Sequence, residues 1–473
     1  MPSLTARGAR ARHPGDDRRQ RRRICVELRH RTSRQDDAQR RAAPHADPEL
    51  EEPHLASDRY ERGGKATSLP VVPAVTAPGR AAGPPEAPPP PSASAAARRR
   101  SLAAVFSATL GVGLIFGFQP PLIALILERG GASSFEIGAI TSASTIAVIV
   151  LGPLYPRAIA RLGLRPAIVA GTGLAVAVLL LMPVLTGAAA WFVLRFVTGC
   201  ALGLAWIASE IWLNRLATDE SRGTIMGVYA TVFALGVVAG PLMLQLTGTA
   251  GWPPFGVGAL ALALTALPLL RVGHVPPAAY ETEQPRPLFA LLRAAPVVML
   301  AALVAGLVES ADLSLLPVFG LQSGLTERHA LLLVTVFLAG NVILQLPIGA
   351  LADRYGRRFV LAACAIASAL GPPLLPPAMA LPLLLWPLLF VWGGTMYGFY
   401  TQGIALLGES FAARELAGAN TVFVMVYCLG GVIGPSLGGL AMDLWKPNGL
   451  VAFVSGAAML LALGLAAEGR RRS

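Results

Sequence analysis

The chain has 473 residues, 54% of them hydrophobic and 14% charged, too apolar a balance for a soluble protein of this length. Its net charge of +12 is unevenly placed: twenty of the 39 Lys/Arg and twelve of the 27 Asp/Glu lie in residues 1–100, so the basic excess belongs to a tail and is not a nucleic-acid footprint. The four cysteines (Cys25, Cys200, Cys364, Cys428) stand apart from one another, Cys25 in the tail and the others in apolar segments, so no disulfide framework or metal site is implied.

Residues 1–100 are Arg-rich at first, then Pro- and Ala-rich from Pro84 to Ala97. Such a segment buries too little apolar surface to offset its chain entropy, so a disordered tail is expected. It is read as solvated, or as sequence upstream of the true start; a basic arm on anionic lipid or nucleic acid is the alternative. No apolar segment with a small-residue cleavage site precedes Arg98, so the first membrane helix is expected to do the targeting.

From Leu102 onward, apolar stretches long enough to cross a bilayer, about 20 residues each, follow one another closely. They are predicted near 102–126, 135–156, 167–186, 189–212, 222–246, 253–270, 294–318, 329–350, 358–376, 381–407, 414–439 and 449–467. If these spans alternate in direction, Arg98–Arg100, Arg157, Arg161, Arg165, Arg215, Arg222, Arg271, Arg286, Arg293, Arg354, Arg357, Arg358, Arg414 and Arg470–Arg472 share one side. The opposite loops hold only Arg129, Arg328 and Lys446. That asymmetry predicts cytoplasmic termini. The expected plan is a tail (1–100), a first six-helix half (101–270), a polar, Pro-rich cytoplasmic linker (271–293), a second six-helix half (294–467) and a basic end (468–473).

The second half echoes the first. Arg161, Gly163 and Arg165, after the second span, recur as Arg354, Gly356 and Arg358, each 193 positions later. Gly240-Pro241 recurs as Gly434-Pro435, 194 positions later. A duplicated bundle keeps a transported solute near mid-membrane, between its repeats. Gly349-x-Leu-Ala-Asp353-Arg354-x-Gly356-Arg357-Arg358 resembles the signature loop of the major facilitator superfamily. The resemblance implies an all-α membrane protein of twelve transmembrane helices in two pseudo-symmetric six-helix halves. Within it, Asp353 at a helix end is expected to latch a cytoplasmic gate, against a neighbouring helix N-terminus or the nearby arginines. The first copy departs from the pattern, with Ala160 in place of Asp353 and Pro156 in place of Gly349, and reads as a merely basic loop.

Gly236-x-x-x-Gly240-Pro241 in the fifth span, and Gly430-Gly431-x-x-Gly434-Pro435 in the eleventh, resemble the superfamily's Gly-Pro motif, often found in exporters. Ordinary small-residue packing explains them equally well. Ser209-Glu210-Ile211-Trp212-Leu213-Asn214, followed by Asp219-Glu220-x-Arg222-Gly223 and Tyr229, resembles the YcaD-like bacterial branch of the superfamily.

Ionisable residues inside spans are few, and each is costly enough to need a reason. Glu309 and Asp312 lie three apart on one face of the seventh span, and Asp312 falls 193 positions after Gln119 of the first. Both acids are expected to face a central cavity as proton or cation sites. Arg195 matches the position of the superfamily's intramembrane arginine; it is expected to hold a substrate anion or to sense those acids, or else to snorkel outward near Trp191. Glu210 is a candidate for an inner gate, and Gln345 and Gln402 for cavity hydrogen bonds. Trp206, Tyr397 and Tyr400 could stack on a solute, although aromatics at helical spacing more often serve packing.

All six histidines lie in the tail or in loops, which argues against a histidine proton relay. No nucleotide-phosphate loop, catalytic triad or dinucleotide fingerprint is present, so neither an enzyme nor a cofactor or metal is expected. The expected function is secondary active transport of a small organic solute across a bacterial cytoplasmic membrane by alternating access, proton-coupled and directed outward. The alternatives are an uptake symporter, or a non-transporting sensor or scaffold on the same fold. The expected partners are the solute, protons and the lipid bilayer, with no nucleic acid, and the protein is expected to be a monomer.

Overall fold

The computed structural model describes residues 95–218, 220–273, 293–411 and 413–472. The expectations placed on the tail before residue 95, on Asp219 and on linker residues 274–292, Arg286 included, lie outside them. The described residues contain helices and turns and no strand. Twelve of the helices are long and apolar enough to cross a membrane: α1 (Ala96–Arg129), α2 (Ser134–Leu162), α3 (Leu164–Leu181), α4 (Ala188–Leu216), α5 (Arg222–Thr247), α6 (Pro253–Arg271), α7 (Pro296–Gln322), α8 (Glu327–Tyr355), α9 (Arg357–Ala378), α10 (Pro382–Ser410), α11 (Gly418–Leu444) and α12 (Gly449–Arg470). Several outrun the apolar stretches that announce them. The backbone keeps its helical hydrogen bonds past the last apolar residue, so Arg98–Arg100 form part of the first helix rather than of a tail.

Proline and glycine shape these rods. α2 and α9 each pass through a tight 3-10 turn, Gly152–Leu154 and Pro372–Leu374, where Pro153, Pro372 and Pro373 lack the N–H that an α-helix would use. α2 meets α3 at Gly163, and α8 meets α9 at Gly356, each a single-residue elbow with φ 86° and 92°. Their amides close the preceding helices on Ile159 O (2.8 Å) and Ala352 O (2.9 Å). Only glycine takes that backbone without strain, which is why the two copies of the loop share it.

The repeat is visible in packing. Gly113 of α1 lies against the carbonyl of Phe233 in α5, and Gly306 of α7 against the carbonyl of Tyr427 in α11. From the other side, Gly236 abuts Leu110 O and Gly430 abuts Leu303 O, while Gly240 and Gly434 sit on the backbones of α1 and α7. A Cβ at any of these positions would collide with main chain, so the glycines of the Gly-Pro segments serve close helix approach. Each half thereby encloses its own apolar core. The halves meet along two seams, α2 with α11 and α5 with α8, and also where α1 packs against α7.

Candidate functional site

Between the halves lies a cavity of about 150 Å³, walled by α1, α2, α4 and α5 on one side and by α7 and α11 on the other. Its polar centre in the first half is Arg195 of α4, 6% exposed. Nη1 donates to Gln119 Oε1 of α1 (2.5 Å) and Nη2 to the Thr141 carbonyl of α2 (2.9 Å). The Gln119 amide donates onward to Thr198 Oγ1 (3.4 Å), and Ser144 Oγ donates to the Arg195 carbonyl (2.9 Å). The guanidinium of α4 is thus tied to α1 and α2; its Nε is buried and has no partner among the described residues. A buried charge is tolerable when neutral acceptors surround it in this way. The snorkelling alternative does not apply, because the side chain reaches inward to Gln119 and Thr141.

In the second half, Glu309 of α7 lines the same cavity. Tyr427 of α11 donates its hydroxyl to Glu309 Oε2 (2.6 Å), and the Tyr397 hydroxyl of α10 is directed at the same carboxyl. Among the described residues Glu309 has no ion-pair partner. Asp312, one turn further along α7, does not line the cavity with it. Its side chain is 0% exposed, and neither carboxyl oxygen has a partner among the described residues. The shared helix face expected for the two acids therefore divides: Glu309 opens to the cavity, and Asp312 is sealed in the wall behind it.

Aromatic rings complete the walls. Phe116 of α1, Trp206 of α4 and Phe233 of α5 form a triangle with centroids 5.6–5.7 Å apart, Trp206 and Phe233 being stacked. All three line the cavity. Opposite them, Tyr400 of α10 meets the ring of Tyr427 edge-on at 5.0 Å.

Residues 102–333 and 324–472 match the family model of the Major Facilitator Superfamily. The chain belongs to that superfamily. It is 25% identical over 348 residues to the uncharacterized MFS-type transporter YfkF of Bacillus subtilis (strain 168), across 72% of this chain and 89% of that one. An MFS-type transporter of Yersinia pestis (strain Pestoides F) is 29% identical over 282 residues, across 58% and 71% of the two chains. The crystal structure of the nucleoside transporter NupG superposes with a TM-score of 0.65 at 18% identity, over 78% of this chain and 98% of that one. A bacterial homolog of the human lysosomal transporter Spinster does so with 0.62 at 13% identity, over 79% and 95%. These two structures share the fold. As a member of the superfamily, the chain is a multi-pass membrane transporter of a small-molecule solute, and not an enzyme.

The other sequence candidates lie away from the cavity. Glu210 is exposed on α4, four residues beyond Trp206. Gln345 packs inside the second half, donating to Gly394 O at 3.5 Å, and Gln402 is buried in α10 outside the cavity lining. In the superfamily's signature loop, Arg357 reaches the Ala405 carbonyl (3.0 Å) and Glu409 (3.1 Å), and Arg358 pairs with Glu468 (3.2 Å). Arg354 lies over the Tyr355 ring. Asp353 is exposed and makes no hydrogen bond or ion pair among the described residues. In the first copy Arg165 donates to Leu270 O (3.0 Å), and Arg161 is exposed. These arginine contacts stay within one half.

Sequence reasoning missed Tyr427 and the triangle partners Phe116 and Phe233, because a ring's neighbours depend on helix rotation. It also missed a polar seam at the end of the bundle remote from the termini. There Arg129 bridges Glu327 (3.1 Å) and the Thr249 carbonyl (2.9 Å), while the Thr249 hydroxyl bonds Glu327. On the other seam, Asp443 accepts the Ser134 and Phe135 amides at the start of α2 (2.9 Å each), and between α1 and α7 Gln322 donates to Glu128 (2.9 Å). The available signal was the repeat itself: Arg129, Ser134 and Thr249 correspond to Gln322, Glu327 and Asp443, offset by 193 or 194.

Proposed function

We propose that the chain is a proton-coupled antiporter exporting a small organic solute from a bacterial cytoplasm, as a monomer of the YcaD-like branch with both termini cytoplasmic. One observation carries this reading: Glu309 opens onto the cavity, bonded to Tyr427, with no ion-pair partner among the described residues. An acid in that position exchanges a proton with whatever enters the cavity. Asp312 behind it, with no donor to stabilise a charge, carries a proton in the same reading. The polar seam remote from the termini joins the two halves, so in this reading it is the outer gate. Breaking it lets the halves rock and opens the cavity to the far side. Asp353 and the arginines around it are the inner counterpart, engaged when the cavity faces outward.

The test is internal pH in proteoliposomes of the purified protein, under an imposed proton gradient, challenged with pooled organic solutes. Solute-dependent proton movement, lost in Glu309→Gln and in Asp312→Asn, is the expected result. Movement that survives both substitutions would overturn the site assignment; protons and solute moving in the same direction would turn the antiporter into a symporter. No movement with any pool would leave the sensor or scaffold reading standing.

A further inference from the structure

Resting on the reading of this cavity as the transport site, the geometry points to its ligand class: we propose that it takes a small organic monocation bearing one aromatic ring or an apolar body of that size. The argument comes from superposing the repeats. Phe116, Trp206 and Phe233 correspond to Glu309, Tyr400 and Tyr427, at offsets of 193, 194 and 194. Phe116 and Phe233 stand on the helix pair α1–α5, and Glu309 and Tyr427 on the pair α7–α11, two pairs joined through equivalent glycine contacts; Trp206 and Tyr400 come from α4 and α10. One half therefore presents three aromatic rings, and the other presents the Tyr427 ring, with Tyr400 packed edge-on against it outside the lining, and a carboxyl group where the third ring would stand.

Ring faces and a single acid with no ion-pair partner among the described residues are the chemistry that recognises an organic cation: the rings attract its charge through their quadrupoles, and the carboxylate supplies the counter-charge. An anion finds less. Arg195, the fixed positive charge of the cavity, is already tied through one N–H of each terminal nitrogen to Gln119 and Thr141, which holds its guanidinium against the first-half wall. A neutral solute would leave Glu309 unanswered. Size follows from the volume of about 150 Å³, room for roughly one aromatic ring with a small head group.

Equilibrium binding to the purified full-length protein in lipid nanodiscs tests this, with phenyltrimethylammonium as the probe, and benzenesulfonate and tert-butylbenzene as anionic and neutral controls of similar size. Saturable binding of the cation, at least tenfold tighter than either control, is expected. Glu309→Gln should weaken it at least tenfold, and Trp206→Ala several-fold, while Trp206→Phe retains it. Thermal melts report folding, and the Trp206 pair carries the test if Glu309→Gln does not fold. Tighter binding of the sulfonate, cation binding unchanged in Glu309→Gln, or no saturable cation binding would each overturn the proposal. Cation binding that depends on Glu309 without any proton-coupled flux would keep this ligand class and sink the antiport reading. Proton-coupled flux of some other solute, without cation binding, would do the reverse.

Discussion

The two halves of this transporter agree in how their helices touch and disagree in what they show the cavity. Gly113 on Phe233 and Gly306 on Tyr427 are the same contact made twice. At the next turn of α1 and α7, one half carries Phe116 and Gln119, the other Glu309 and Asp312. The seam remote from the termini repeats the lesson: the acid stands at the start of α8 on one side (Glu327) and at the end of α11 on the other (Asp443). Close backbone packing admits glycine and little else, so it preserves the duplication. Side chains that meet the cavity or the seam carry no such restriction, and there the copies have diverged.

The shared frame is the place to break first. Gly113→Leu or Gly306→Leu drives a side chain into a facing carbonyl, so each should abolish a monodisperse folded protein in size-exclusion chromatography and thermal melts. A tolerated Gly113→Leu would show that the halves do not pack alike. Next comes the divergent pair Phe116 and Glu309. Glu309→Gln should cut proton-coupled flux by about 100-fold with little change in melting temperature, whereas Phe116→Leu should keep the coupling and weaken only solute affinity.

The pair Gln119 and Asp312 sharpens the comparison through stability. Gln119→Leu strips the acceptor from a buried guanidinium and should cost about 2 kcal/mol in denaturant unfolding; Asp312→Asn removes a carboxyl that has no partner and should cost less. Smallest are the seam effects. Asp443→Asn keeps a cap for α2 but loses its charge, weakening closure there by about 1 kcal/mol. Labelling of a Ser310→Cys reporter from the far side should then speed up by roughly fivefold. Glu327→Gln, in a partly exposed pair, should change that rate less.

Much of this was legible beforehand. Apolar length gave the twelve spans, because a bilayer demands about 20 such residues whatever surrounds them. The offset of 193 gave the duplication, and the elbow glycines at 163 and 356 gave matching turns, because a positive φ selects its residue locally. Glu210, Asp312, Gln345 and Gln402 stand outside the lining of the cavity; they were nominated by depth and polarity, and neither property fixes the direction in which a side chain leaves its helix.

Sequence by itself determined the membrane fold, its two-fold construction and the rarity of charge within the spans, since hydropathy and backbone conformation act over a few neighbouring residues. Tertiary structure alone decided that Glu309 reaches the cavity while Asp312, one turn away, is sealed behind it. It alone brought Arg195 to Gln119, Phe116 to Trp206 and Asp443 to the start of α2. Those pairings depend on how each helix rotates and tilts against its neighbours, and that is settled by the packing of all twelve together.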